Sequence, residues 1–139
     1  MTFLEALYGS QYQEITANGK DGQKGRINGN MFLAVLSLLV LVDTVLVLKL
    51  LDTHLLAQSL EKIPVFRYMT GKTLGKVLGL VAFAISYFII GQTVGSIQNY
   101  NRIIDSFMQL PEDTRKTANK KVLTVFFTVF AIFMIFIFL

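Results

Sequence analysis

Three long apolar runs constrain this chain more than any other feature of its sequence. They cover residues 31–51, 77–97 and 122–139. A helix of about 20 apolar residues is about 30 Å long, which matches the hydrocarbon core of a bilayer. Charged residues make up only 16% of the chain, below the roughly 25% of soluble domains. The sequence therefore predicts an all-α integral membrane protein with three transmembrane helices at 31–51, 77–97 and 122–139.

An amphipathic helix is predicted over residues 1–17, ahead of the first apolar run. Thr2 and Glu5 have the spacing of a capping box, in which each side chain accepts a hydrogen bond from the other residue's backbone N–H. Apolar residues then recur at helical spacing, namely Phe3, Leu4, Leu7, Tyr8, Tyr12 and Ile15. Such a helix lies on a membrane surface, packs against a partner or packs on the protein's own spans, and the sequence leaves these alternatives open.

Residues 18–30 are rich in glycine and in basic side chains. The glycines are Gly19, Gly22, Gly25 and Gly29, and the basic residues are Lys20, Lys24 and Arg26. Glycine at this frequency disfavours a helix, so we predict a basic loop. The spacing of a phosphate-binding or dinucleotide-binding loop is absent, which favours a juxtamembrane linker over a phosphate site.

The segments between the apolar runs are also predicted to be partly helical. Residues 52–76 form a loop or an extension of the first helix, which is expected to continue through Leu60 and stop before Pro64. Residues 98–121 form a helical hairpin tip, with apolar residues at roughly helical spacing before Pro111. At 1.5 Å per residue, this hairpin is expected to project about 15–20 Å beyond the bilayer.

The distribution of basic residues predicts both orientation and counter-charge. Three Lys and Arg residues before the first run and five at the hairpin tip give eight on one side, against five on the other. The positive-inside rule then predicts a cytoplasmic N-terminus, by a thin margin. Because the net charge is only +4 and the basic residues flank apolar runs, anionic lipid headgroups are the expected counter-charge, and nucleic acid is not an expected partner.

Asp43 is the most unusual residue in the apolar runs, because it lies near the middle of the first. A charged side chain there costs at least about 2.5–3.5 kcal/mol on insertion scales. In antiparallel neighbouring helices, Ser86 and Tyr87 would lie at the depth of Asp43, and these three residues form a candidate intramembrane polar site. A protonated or hydrogen-bonded Asp that joins helices is favoured over an ion-handling carboxylate or one that meets another protein.

Small residues form two faces on the second predicted span. The first face contains Gly71, Gly75, Gly79, Ala82 and Ser86, which lie within about 80° of one another at 100° per residue. Gly91 and Gly95 lie on nearly the opposite side. Small residues allow close helix approach in membranes, so both faces are predicted to pack against helices, within the chain or in another subunit.

Several classes of function are not predicted. The chain has no Cys and a single His, His54, so no metal site or cofactor is expected. Gly71-Lys72-Thr73 lacks the first glycine of a phosphate loop, since residue 66 is Phe66, and no nucleotide is expected. The polar residues of the spans show no catalytic spacing, which predicts a protein that is not an enzyme.

The remaining classes are a subunit and a pore. The sequence favours a small non-catalytic integral-membrane subunit or scaffold of a larger complex, with the lipid bilayer and other membrane-protein subunits, or itself, as partners. The alternative is a self-assembling channel, pore or ion-translocating unit that uses Asp43. A pore-forming effector or a membrane immunity protein belongs to the same alternative.

Overall fold

The computed structural model describes residues 1–51 and 71–139, and both parts are helical. The helices are α1 (Phe3–Ala17), α2 (Gln23–Leu51), α3 (Gly71–Gln92), α4 (Ile97–Met108), α5 (Glu112–Lys116) and α6 (Ala118–Phe138). The described residues contain no strand, which confirms the all-α class. The predicted extension of the first helix through Leu60, the residue His54 and most of 52–76 lie outside the described residues.

Within the described residues, three helical stretches are long and apolar enough to cross a bilayer. They cover Gln23–Leu48, Lys72–Gln92 and Glu112–Phe138. Their number agrees with the sequence prediction, but the helix bounds differ. The helix of the first run begins at Gln23, eight residues before residue 31, and the helix of the second begins at Gly71, six residues before residue 77.

The second long helix also ends earlier than predicted. Its last residue is Gln92, and the predicted continuous helix through Ile97 is wrong. The backbone N–H of Gly95 turns back to the carbonyl of Ile90 at 2.7 Å. Ser96 then starts α4, because its hydroxyl accepts a hydrogen bond from the backbone N–H of Asn99 at 3.4 Å. A serine cap of this kind satisfies one of the free N–H groups at a helix start.

The predicted glycine-rich loop over 18–30 is mostly helix. Only residues 18–22 separate α1 from α2, and Gly19 makes the turn with a φ of +70°. The next glycines lie inside a helix, where the cost of glycine is offset because tyrosine side chains pack against them. A Cβ on Gly25 would lie 2.8 Å from the Tyr100 hydroxyl, and one on Gly29 would overlap the Tyr8 ring.

Helix α1 packs on the protein's own helices, which is one of the alternatives left open by its sequence. Its capping box is formed: the Thr2 N–H donates to Glu5 Oε2 at 2.6 Å, and the Glu5 N–H donates to Thr2 Oγ1 at 3.2 Å. The helix lies against α2, α4 and α6. Leu7 and Tyr8 are fully buried in these contacts.

Helix α4, which forms the first part of the predicted hairpin tip, folds back onto α1. Its apolar face buries Tyr100, Ile104 and Phe107, and Phe107 packs in the same cluster as Leu7. Burial of a Phe side chain is worth roughly 1.5–3 kcal/mol, which favours this packed arrangement over an extended one. We call α1, α4 and the first two turns of α2 the cap.

Helix α2 is the central long helix. Both α3 and α6 pack against it, and the Phe32 ring contacts the Phe126 ring of α6 at a centroid distance of 5.6 Å. Helix α3 is the least buried of the three long helices. In its most apolar stretch of 18 residues no residue is buried, whereas 17% of the residues in the corresponding stretch of α2 are buried.

Candidate functional site

Asp43 is a buried acid whose Oδ1 atom has no hydrogen-bond partner among the described residues. Its residue exposure is only 9%, and its Oδ1 atom is buried and unpaired. Asp43 follows Phe32 by eleven positions, which at 100° per residue places it about 20° from Phe32 around the helix. The carboxylate therefore lies on the side of α2 that faces α6.

The structure does not assemble the predicted site of Asp43, Ser86 and Tyr87. Asn30 lies beside Gly91 of the antiparallel α3, 3.9 Å from the position of a Cβ there. Thirteen residues further along α2, Asp43 is level with about residue 78 of α3, so Ser86 lies about 12 Å away along the axis at 1.5 Å per residue. Tyr87 instead stacks on Phe83, with ring centroids 6.3 Å apart.

The two small faces of α3 have different surroundings. A Cβ on Gly95, in the turn after α3, would collide with the Asn30 side chain, so this glycine allows α2 to approach closely. Near the start of α3, a Cβ on Gly75 or Gly79 would meet no atom of the described part of the chain within 4 Å. Ala82 and Ser86 are half-buried. The side-chain surroundings of Gly71 lie outside the described residues.

A polar cluster in the cap joins three elements, and sequence reasoning missed it. The Tyr8 hydroxyl donates to Asn30 Oδ1 at 2.7 Å. Asn30 Nδ2 and an Arg26 guanidinium N–H both donate to the Gly95 carbonyl, at 3.3 Å and 3.2 Å. These bonds connect α1, α2 and the turn after α3. Because Asn30 is buried, the paired amide fixes how these elements fit together.

The tyrosines of this cluster are held in their neutral form. Burial raises the pKa of Tyr8 and of Tyr100 to about 12, and the nearby Arg26 charge partly offsets this rise. The two rings meet edge to face with centroids 5.4 Å apart. Tyr100 donates its hydroxyl hydrogen to the Gly22 carbonyl at 2.7 Å. Both hydroxyls therefore act as hydrogen-bond donors that hold the cap together at neutral pH.

A helical glycine pattern was the signal that could have revealed this cluster. Gly22, Gly25 and Gly29 are spaced three and four apart, which places them on one side of a helix. Each lies against a tyrosine of α1 or α4. The same pattern in 71–79 indicated a helix face, but in 18–30 the glycine frequency favoured a loop.

Neither ligand chemistry nor similarity identifies this site. Within residues 1–51 and 71–139, no three His, Asp or Glu side chains come together as metal ligands. The chain matches no protein-family model, curated protein or solved structure.

Proposed function

We propose that the protein is a small non-catalytic integral-membrane subunit or scaffold. In this proposal α2, α3 and α6 span the bilayer, the cap lies on the cytoplasmic side, and a helix of another subunit packs along α3. The observation that carries the proposal is the open face of Gly75 and Gly79, where a Cβ would meet no atom of the described residues.

The glycines of the cap explain why this open face is informative. Glycine in a helix interior costs about 1 kcal/mol relative to alanine. At Gly25 and Gly29 a tyrosine fills the space beside the glycine, so burial and hydrogen bonding offset that cost. At Gly75 and Gly79 the described chain supplies no such neighbour. Close approach of a second helix would provide the missing contact.

The exposure of α3 supports a partner on this helix. Its large apolar side chains point outward, with Leu80 73% exposed and Phe88 67% exposed. Lipid can cover such side chains, but a flat glycine surface gains more from a helix backbone than from mobile acyl chains. A subunit helix on α3 would thus use a surface that the chain's other long helices leave uncovered.

Purification in mild detergent, followed by mass spectrometry of associated proteins, tests the proposal. We expect stoichiometric larger membrane partners. Gly79→Leu should release them, because its side chain would occupy the contact face without disturbing the fold. Ala84→Leu is the matched control, since residue 84 lies about 140° from Gly79 around the helix at 100° per residue. A wild-type protein isolated alone, or equal retention of partners by both variants, would contradict the proposal.

The orientation needs a separate test. The chain has no cysteine, so a single introduced cysteine reports the accessibility of its own position alone. A cysteine at Asn18 should react with a membrane-impermeant maleimide only after the cytoplasmic side becomes accessible. Labelling from outside intact cells would show that the cap lies on the opposite side.

A second candidate function rests on the unpaired Oδ1 of buried Asp43. Intramembrane carboxylates mark ion or proton pathways in many membrane proteins. In this candidate the protein self-assembles as a channel, pore or ion-translocating unit. Ion flux into liposomes should fall in Asp43→Asn and persist in the neighbouring Thr44→Val. Absence of flux in the wild type, or equal flux in all three proteins, would exclude it.

A further inference from the structure

The outer face of α6 is an open, shallow surface on which every lining residue is exposed, and we call it the α6 groove. Ten residues line it: Lys116, Asn119, Lys120, Leu123, Thr124, Phe127, Thr128, Ala131, Ile132 and Ile135. Ala118 and Val122 are the buried residues of this helix, and they lie about 160–200° around the helix from Lys120. The groove therefore faces away from the packed side of the protein.

The groove has two chemically different ends. Lys116, Asn119 and Lys120 form its mouth, which provides two cations and an amide donor. Beyond the mouth, the lining is apolar apart from two threonines. Their hydroxyls are used inside the helix, since Thr124 donates to the Lys120 carbonyl and Thr128 to the Thr124 carbonyl, both at 2.8 Å. The threonines therefore require no polar partner from a ligand.

The charge at the mouth is only weakly compensated. Lys116 pairs with Glu112 at 2.9 Å, but both side chains are largely exposed, and such surface pairs contribute about 0–1 kcal/mol. Lys120 makes no ion pair within the described part of the chain. Lys121 points elsewhere, because its Nζ donates to the Met1 carbonyl. The mouth is thus available to a negatively charged group.

The groove also has the length of one bilayer leaflet. From Leu123 to Ile132, helix α6 rises about 14 Å at 1.5 Å per residue. Half of a hydrocarbon core is about 15 Å. An acyl chain that begins below the lysines would therefore run along the apolar lining to about the middle of the bilayer.

From these observations we infer that the groove binds an anionic phospholipid, with its phosphate at Lys116, Asn119 and Lys120 and an acyl chain along α6. Charge favours this occupant over a second copy of the chain. Two copies inserted in the same orientation would bring their Lys116 and Lys120 side chains to the same level, where like charges repel. A phosphate at that level is attracted instead.

Native mass spectrometry of the full chain in detergent tests this site. The probes are phosphatidylglycerol and phosphatidylcholine with identical acyl chains, titrated separately. We expect tighter binding of phosphatidylglycerol and a loss of about 25-fold in Lys116→Gln/Lys120→Gln, since each basic residue near an anionic surface contributes about fivefold. Lys20→Gln/Lys24→Gln is the charge-matched control, and its binding should remain near the wild-type value.

A steric variant separates a groove from a diffuse positive surface. Ala131→Trp keeps both lysines and fills the apolar lining, so it should also weaken phosphatidylglycerol binding. Equal binding of the two lipids would overturn the inference, as would equal losses in both double-lysine variants or unchanged binding in Ala131→Trp. A dimer through α6 that excludes lipid would overturn it in favour of a second copy.

Discussion

Gly29→Ala tests whether the tyrosine–glycine contacts hold the cap together. A Cβ at this position would lie 2.5 Å from Cδ1 of Tyr8 and closer still to Cε1. The ring has little room to move, because Tyr8 is fully buried and its hydroxyl is bonded to Asn30. The added methyl group must therefore displace the ring or separate α1 from α2.

The magnitude follows from three opposing contributions. Overpacking costs about 1–3 kcal/mol, and a weakened Tyr8–Asn30 hydrogen bond costs about 0.5–1.5 kcal/mol. Higher helix propensity returns about 1 kcal/mol. The free energy of unfolding should therefore fall by about 2 kcal/mol, the middle of the net range of these terms. Gly75→Ala is the matched control, because the same change meets no atom and should not destabilise the protein.

Unfolding in mixed detergent micelles, followed by far-ultraviolet circular dichroism, measures both variants. A third variant identifies the cause: in a Tyr8→Leu background, Gly29→Ala should cost much less, since the obstructing ring is gone. Non-additivity of this kind is expected only for residues in contact. Equal stability of Gly29→Ala and the wild type, or additive losses in the double variant, would refute the explanation.

Three further predictions concern titrating groups. Tyr8 and Tyr100 have pKa values raised to about 12. Their contribution to the stability of the folded protein is therefore complete below pH 10, the ordinary tyrosine pKa, and is lost as the pH rises towards 12. Absorbance at 295 nm should show two tyrosines that titrate later than the others. The hydrogen bond from Ser106 lowers the pKa of Glu5, so Glu5→Gln should destabilise the protein at pH values above the ordinary glutamate pKa. The difference in free energy of unfolding between this variant and the wild type should shrink as the pH falls through the pKa of Glu5 in the folded protein. Unfolding at several pH values measures this difference. Asp43→Leu should raise the free energy of unfolding of the isolated protein by about 1–3 kcal/mol, because it removes an unsatisfied buried polar group. A loss of stability in the same micelle assay would show that a partner binds the carboxylate.

The sequence predicted the features that depend on local patterns. The three apolar runs predicted three long helices, and the Thr2 and Glu5 spacing predicted both hydrogen bonds of the capping box. In each case the signal lies within a few turns of one helix. The hydrogen bonds that cap a helix start and the length of an apolar run do not depend on how the rest of the chain folds.

The errors arose where contacts between distant segments decide the structure. Residues 23–30 form a helix because Tyr8 and Tyr100 fill the space beside their glycines, and these rings are remote in the sequence. The apolar face of helix α4 packs on α1, which is remote from it in the sequence. The expected partners of Asp43 were displaced by about two turns, since the register of α2 on α3 is set by Asn30 and Gly91.

The cap and the long helices differ in how completely their buried polar atoms find hydrogen-bond partners and their glycines find packing contacts. In the cap, glycines lie against rings, and the buried Asn30 amide has both a donor and an acceptor as partners. In the long helices, Asp43 Oδ1 has no partner and Gly79 has an open face within the part of the chain that the structure describes. By register these two residues lie at nearly the same depth. Sequences satisfy such rules throughout a fold and depart from them mainly at functional positions, so we propose that a partner subunit or a translocated ion meets this protein at the depth of Asp43 and Gly79.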